Sequence, residues 1–432
     1  MKRKNVFVLF GVLLLALINL SPSLPEASTP KRTGEPGHSS AGPGGREAER
    51  PLRDIEVYTM MEPSEFAALK QLNERYEQRS GTKVELKNIP PGRAYKAYKE
   101  AYAAGREPDV LMLDSGWVAR LAASGSLLPA DLYGGGGAAA SDSLGLPASA
   151  VEWNGYRWAV PLDLDPYAAA WNPDKFASDA GALPSENEAW EKWEEGLEGK
   201  PAEQEAGSAT GAEARQTAAA DSADGSLIGL PGGDGRAFAA LLALWGATFA
   251  DGADEPTVQA IERADRLRGR TYVADSTDSN LLAKAESGEL SLVIDRLSNL
   301  EKAERSAVRT APLPAAAAGT AAMRSLGIAA DTQHAREASL WIAYITGGES
   351  QEDWFELTGH LSALRGVYDD SQRAELLRWL PDADSGRNSA GAAAAAAESK
   401  KIAARQNAWA RSFGSFYEGK LDVEGLTEAL FP

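Results

Sequence analysis

The chain has no cysteine in its 432 residues. That excludes disulfides, thiolate metal sites, cysteine nucleophiles and attachment through a lipid-modified cysteine. Histidine is almost as scarce, with three residues at positions 38, 334 and 360. No H-E-x-x-H or G-x-S-x-G pattern accompanies them, so neither a zinc site nor a serine-nucleophile elbow is indicated. No catalytic residue, metal or cofactor is assigned. Cationic charge is also short: 44 Lys and Arg stand against 62 Asp and Glu, for a net charge of −18. Beyond Lys2, Arg3 and Lys4 there is no basic cluster. Phosphate backbones are held by clustered cations, so a nucleic-acid partner is not expected. Long apolar runs are missing too, apart from Val6–Leu20. That run falls short of the roughly 20 apolar residues of a membrane span.

A basic start with a short apolar stretch behind it reads as an export signal. Residues 1–27 are taken as a signal peptide or an N-terminal membrane anchor, and the sequence leaves the two open. Residues 28–53, rich in Pro, Ser, Gly and charge, read as a disordered linker. The remaining length is too great for one core and predicts two domains.

Beyond the linker, strands and helices alternate. Asp54–Met60, Lys83–Ile89 and Asp109–Asp114 read as strands, with helices predicted over Pro63–Gln78 and Arg93–Ala104. Such alternation predicts a mostly parallel sheet flanked by helices, an α/β fold. Glu107–Pro129, EPDVLMLDSGWVARLAASGSLLP, is the most informative stretch. It holds a short apolar strand, a polar and aromatic turn, and a helix closed by Gly125. Polar groups at the carboxyl end of such a strand mark where ligands bind in open α/β sheets. Further on, Trp153–Asp174 carries a hairpin signal at Asn154-Gly155 and two extended segments, Tyr156–Pro161 and Tyr167–Trp171. Leu227–Leu230 and Glu289–Asp295 read as buried strands, and Ser325–Ala330 as another. Asp331 or Thr332 is expected to cap the next helix. Gly134–Gly137 lacks the Lys-Ser/Thr of a phosphate loop. Residues 194–225 read as a low-complexity insertion, and Ala390–Ala397 as loop or helix.

The Glu107–Pro129 segment resembles one in the extracellular solute-binding proteins of ABC importers, family 1, the carbohydrate-binding, maltose-binding-protein-like branch. There a "PDV" strand leads to a ligand-contacting turn and a helix ending in a "G.L.P" pattern. The Asp165, Trp171, Asn172, Asp174 set and Ala311–Pro314 are similar to that family's inter-lobe crossings. The resemblance implies a two-lobe, periplasmic-binding-protein type II architecture. Lobe 1 would comprise 54–162 plus 312–365, and lobe 2 would comprise 163–311 plus 366–432. It implies hinge closure on a small solute, a sugar or oligosaccharide, which a monomeric extracytoplasmic protein delivers to a membrane permease. The alternative is an anchored orphan or sensory solute-binding protein with no transport role.

Sugar recognition needs carboxylates or amides for vicinal hydroxyls and aromatic faces for the pyranose ring. The candidate ligand-binding residues are Glu62, Asp114, Trp117, Trp158, Asp163, Asp165, Trp245 and Arg296. Each also has a plain structural reading. Asp114 fits a cap, Asp163 and Asp165 fit hinge chemistry, and Trp158 fits hairpin packing. Trp245 lies on the apolar stripe of its helix, and Arg296 fits a surface ion pair. Arg296 stands near where relatives carry a cleft Trp, which is missing here, and admits an anionic ligand. Asp163 and Asp165 do not make a glycosidase pair. Alternate residues of one strand point the same way, about 6–7 Å apart, and nothing else marks a raised-pKa acid.

Overall fold

The computed structural model describes residues 52–132, 142–175, 182–198, 226–249, 252–275, 280–300, 308–380 and 390–431. The predicted signal segment, nearly all of the linker, the Gly134–Gly137 loop and residues 199–225 of the insertion lie outside them. Leu52–Pro432 cluster as one unit. No helix among the described residues is long and apolar enough to cross a membrane.

Two sheets organise this unit. The first holds six strands in the order β13-β6-β12-β3-β1-β2. Here β1 is Ile55–Thr59, β2 Val84–Asn88, β3 Val110–Asp114, β6 Val160–Asp165, β12 Ala322–Ile328 and β13 Leu361–Ser362. The second runs β11-β7-β10-β8-β9, with β7 Tyr167–Trp171, β8 Ile228–Pro231, β9 Thr271–Ala274, β10 Leu292–Arg296 and β11 Arg309–Pro312. A separate hairpin pairs β4, Glu152–Trp153, with β5, Tyr156–Arg157. Asn154 at φ 51° and Gly155 at φ 79° form its turn, as their sequence predicts.

Parallel pairing is confined to β2-β1-β3 and β9-β8-β10. Strands next to the chain's passages between the sheets run antiparallel: β12 against β3 and β6, and β7 against β10 and β11. The sheets are therefore mixed, because a chain returning from the other sheet enters in the opposite sense. Only Pro166 separates β6 from β7, so the first passage is a single residue long.

The helices are α1 (Pro63–Ser80), α2 (Pro91–Ala103), α3 (Val118–Ala123), α4 (Gly145–Ala150), α5 (Asn187–Glu198), α6 (Gly235–Leu244) and α7 (Glu255–Arg266). They continue with α8 (Leu281–Glu286), α9 (Leu297–Leu300), α10 (Ala335–Ile345), α11 (Gly348–Thr358), α12 (Ser371–Ala374), α13 (Ala390–Tyr417) and α14 (Val423–Leu430). The apolar stripe of α1 buries Leu69, Leu72 and Tyr76. A buried bond from Trp341 Nε1 to Asn73 Oδ1, 2.9 Å, ties α10 to α1. The Ala-rich tract, open to either reading in sequence, is the start of α13, as its high helix propensity favours. Helix α5 continues through Glu198, past the expected start of the insertion. The cap expected at Asp331 or Thr332 does not close α10, whose N-cap is His334. Instead, the Thr332 hydroxyl accepts from the His334 amide and donates to Asp109, pinning the preceding turn to β3.

Three cores result. One lies under each sheet, and a third joins Leu164 and Met323 of the first sheet to Ala168, Ala170 and Val293 of the second. Helix α13 packs on α4, on α6 and on the turn after β3, so it touches the surroundings of both sheets. Contact there is close enough to need glycine: a Cβ on Gly116 would stand 2.4 Å from the Ala403 Cβ.

Candidate functional site

A cavity of about 260 Å³ lies where the ends of strands from both sheets meet α13. The residues after β1, the ends of β3, β6 and β10, and the first residues of the antiparallel β12 all reach it. Of the sequence candidates, Glu62, Asp114, Trp117, Asp163, Asp165 and Arg296 line this one space. Trp158 and Trp245 do not. Trp158 sits on the β4-β5 hairpin, stacked edge-on with Trp153 and donating Nε1 to the Trp153 carbonyl at 2.9 Å. Trp245 is 3% exposed in the core of the second sheet, with Trp190 edge-on and the Arg263 guanidinium over its ring. Both follow the plain packing reading: the hairpin turn and the i+7 helical position place their rings on apolar neighbours.

The floor is a lattice of buried charge. Arg324, from β12, donates Nε to the Asp163 carboxylate at 3.0 and 3.2 Å and Nη1 to Glu65 at 2.7 Å. Trp354 of α11 donates to Asp163 at 2.9 Å and carries the Arg324 guanidinium 5.7 Å from its ring centre. His360 lies between them. Its Nε2 is 2.7 Å from Glu65 and 3.7 Å from Asp165, and its Nδ1 is 3.0 Å from an Arg324 nitrogen. Burial alone would raise the Glu65 carboxyl, but Arg324 and His360 prevail and hold it well below the carboxylate range. For His360, burial and Arg324 oppose the charged ring, while Asp165, Glu65 and Asp163 outweigh them and raise its pKa.

Two further carboxylates join the sheets. Asp114 closes the turn after β3 by accepting from the Gly116 amide at 2.9 Å, and its other oxygen takes Arg236 Nη2 at 2.7 Å. Arg236, at the start of α6, also donates to the Ala321 carbonyl at 2.8 Å, in the passage leading to β12. It therefore bonds the α6 end to both the β3 turn and that passage. Asp165, at the end of β6, accepts from the Ser298 amide at 3.1 Å and its hydroxyl at 2.7 Å, capping the start of α9 beside the second sheet. Arg296 donates to Asp234 at 3.2 Å and faces the Tyr167 hydroxyl. The Tyr167 oxygen, with Asp234 and Asp165, keeps Arg296 protonated against burial. Burial would raise Asp234, yet Arg296 and the Tyr167 hydroxyl lower it.

Above this floor stand the groups with capacity to spare. Trp117 meets Tyr95 edge-on at 5.0 Å between ring centres, and Arg120 lies 5.5 Å from the Tyr95 ring centre. Glu62 is exposed at the rim, and Gln406 enters from α13. Each carboxylate oxygen has about two lone pairs, so Asp114, which receives one bond on each oxygen, still accepts from a ligand. The arrangement offers an aromatic wall over a bed of carboxylates and guanidinium groups: adhesive chemistry for a polyhydroxylated molecule.

Sequence reasoning missed Glu65, Tyr95, Arg120, Arg236, Arg324, His360 and Gln406. Arg324 did carry a signal, since it is a lone charge inside the apolar run Met323–Ile328. Arg236 stands just after a Gly-rich turn whose sequence matches no phosphate-binding pattern, so nothing local marks it. His360 has no local signal.

Two sheet-centred bodies joined by short passages, with polar side chains converging on the cleft at their strand ends, define a two-lobe solute-binding protein. Its structure is similar to the GacH receptor of Streptomyces glaucescens, solved unliganded and with acarbose. That match has 18% identity and a TM-score of 0.65, covering 88% of this chain and 97% of that one. An ABC transporter solute-binding protein of Thermotoga lettingae, bound with α-D-tagatose, matches at 14% identity and TM-score 0.63, covering 88% and 100%. UgpB of Mycobacterium tuberculosis, in complex with glycerophosphocholine, matches at 20% identity and TM-score 0.60, covering 87% and 95%. No curated protein sequence matches the chain. The chain belongs to the bacterial extracellular solute-binding proteins, whose family model matches residues 71–377. It is an extracytoplasmic binding protein by family.

Proposed function

We propose that this protein captures a carbohydrate of small size in the cleft and delivers it to the membrane permease of an ABC importer. The observation that carries the reading is the Trp117–Tyr95 aromatic wall set over Asp114 and Glu62 in one cavity. A pyranose presents its C–H face to such rings and its vicinal hydroxyls to such carboxylates. The structural neighbours bound to acarbose and to α-D-tagatose support the same ligand chemistry. The cavity of about 260 Å³ is below the roughly 300–1,000 Å³ of most ligand pockets, which favours one or two sugar rings over a long chain.

Capture proceeds by hinge closure at Pro166 and at the passage between β11 and β12. The ligand-binding set is Glu62, Asp114, Trp117 and Arg296, with Asp163 and Asp165 acting from below as organisers of Arg324, His360 and Ser298. No reaction is assigned: the protein binds and releases, as a monomer. The basic and apolar N-terminal segment directs export, and its retention would tether the protein to the outer face of the membrane.

Isothermal titration with a panel of mono- and disaccharides tests this reading. A saturable response to at least one sugar is expected, weakened about tenfold or more in Trp117→Ala, since loss of a stacking face costs on the order of 1–3 kcal/mol. Sugar turnover, or the absence of any response with an intact fold, refutes it.

A further inference from the structure

A second cavity, about 370 Å³, opens on the first sheet's side of the molecule between α2 and α3. Its wall is made by Tyr98 and Tyr102 of α2, Leu111 of β3 and Leu121 of α3, and it shares Tyr95 and Arg120 with the cleft. The three tyrosines recur at i, i+3 and i+7, so one helical face supplies them. Tyr98 is 3% exposed, and its hydroxyl is buried with no hydrogen-bond partner. Burial pushes that phenol well above its ordinary pKa, so it stays a proton donor. The cavity is of ligand size.

The mouth is positively charged, against the sign of the chain. Lys99 and Arg120 both line it, and Glu107 is the single acid beside them. Among the described residues neither cation pairs with a carboxylate. Instead they lie 6.0 and 5.5 Å from the Tyr95 ring centre, and Arg120 also donates to the Tyr95 hydroxyl at 3.3 Å. An apolar aromatic slot whose mouth carries cations that pair with no carboxylate is complementary to a flat ring bearing an acid at one end.

We propose that this cavity is a second binding site, adjoining the solute cleft, for a small aromatic carboxylate. The ring lies among Tyr98, Tyr102, Leu111 and Leu121. The carboxylate meets Lys99 and Arg120. The inference does not rest on the identity of the cleft solute.

Isothermal titration of the full chain with 4-hydroxybenzoate, in the absence of sugar, tests it. One-to-one saturable binding is expected. 4-Hydroxybenzyl alcohol, which lacks the charge, should bind about tenfold more weakly. Ala103→Trp, which adds bulk from an exposed position in the cavity wall, should abolish binding while circular dichroism stays unchanged. No saturation at millimolar ligand overturns the proposal, as does equal affinity for the neutral alcohol. Undiminished binding by folded Ala103→Trp places the ligand elsewhere and overturns the site. A wild-type dimer that Ala103→Trp converts to monomer in sedimentation makes the slot a self-association face and overturns it equally.

Discussion

Arg324 is the cation on which the cleft floor depends, and Arg324→Met is the sharpest perturbation of it. Methionine keeps much of the side-chain volume, so the change is chiefly electrostatic. It leaves Glu65, Asp163 and Asp165 with His360 as the cation recorded against them among the described residues. Asp163 is 1% exposed, so water cannot replace the lost guanidinium. Removing one partner of a buried pair costs about 3–5 kcal/mol. That is a large share of the roughly 5–15 kcal/mol that holds a folded domain. The loss should also depend on pH. In the wild type Glu65 is held low, so its contribution is present above the unfolded carboxyl pKa and declines as pH falls below it. In the variant the stranded carboxylates are raised, the folded state binds more protons than the unfolded, and stability recovers as pH falls. Each unit below a raised pKa returns up to about 1.4 kcal/mol per group. Urea denaturation monitored by circular dichroism at about pH 7.5 and about pH 5 reads both effects. A loss under about 1 kcal/mol at the higher pH, or a gap that does not narrow at the lower, refutes the lattice as an energetic unit. Adding Asp163→Asn should restore part of the loss, because the two side chains are coupled.

His360 gives the opposite pH signature. Its folded pKa is raised, so its stabilisation is complete below the unfolded value of about 6.5 and is lost as pH rises through the folded value. The wild type should lose stability over that window and His360→Gln should not, as thermal melts across it will show. Gly116→Val should destabilise by about 1–3 kcal/mol through overpacking against α13, given the 2.4 Å approach a Cβ would make to Ala403. Ala403→Gly should relieve part of it in the same denaturation assay.

The range of each interaction decides how much of the fold and site was legible in the sequence. The Asp109–Asp114 strand, its polar turn and the helix after it are written in contiguous residues, and all three stand where the pattern puts them. Asp114 and Trp117 could be placed at a strand end for that reason. The cations could not be placed with their partners. Arg236 meets Asp114 across 122 residues and Arg324 meets Asp163 across 161. A one-dimensional pattern holds no record of such pairs, although a lone Arg within a buried strand flags that a partner exists. Trp245 shows the converse. Its helical stripe was the decisive signal, and aromatic chemistry alone made it a binding candidate. The mixed sense of the sheets was also hidden, because direction depends on which sheet the chain has just left.

The place of β12 between β3 and β6 bears on when this protein can fold. That strand begins at Ala322, so the middle of the first sheet is missing until three quarters of the chain has been made. Until then β3 and β6 have open edges toward the gap, and their apolar faces lack helix α10, which comes after β12. Non-local pairing of this kind is slow. A chain emerging from the amino end therefore closes its first sheet only as the last quarter arrives.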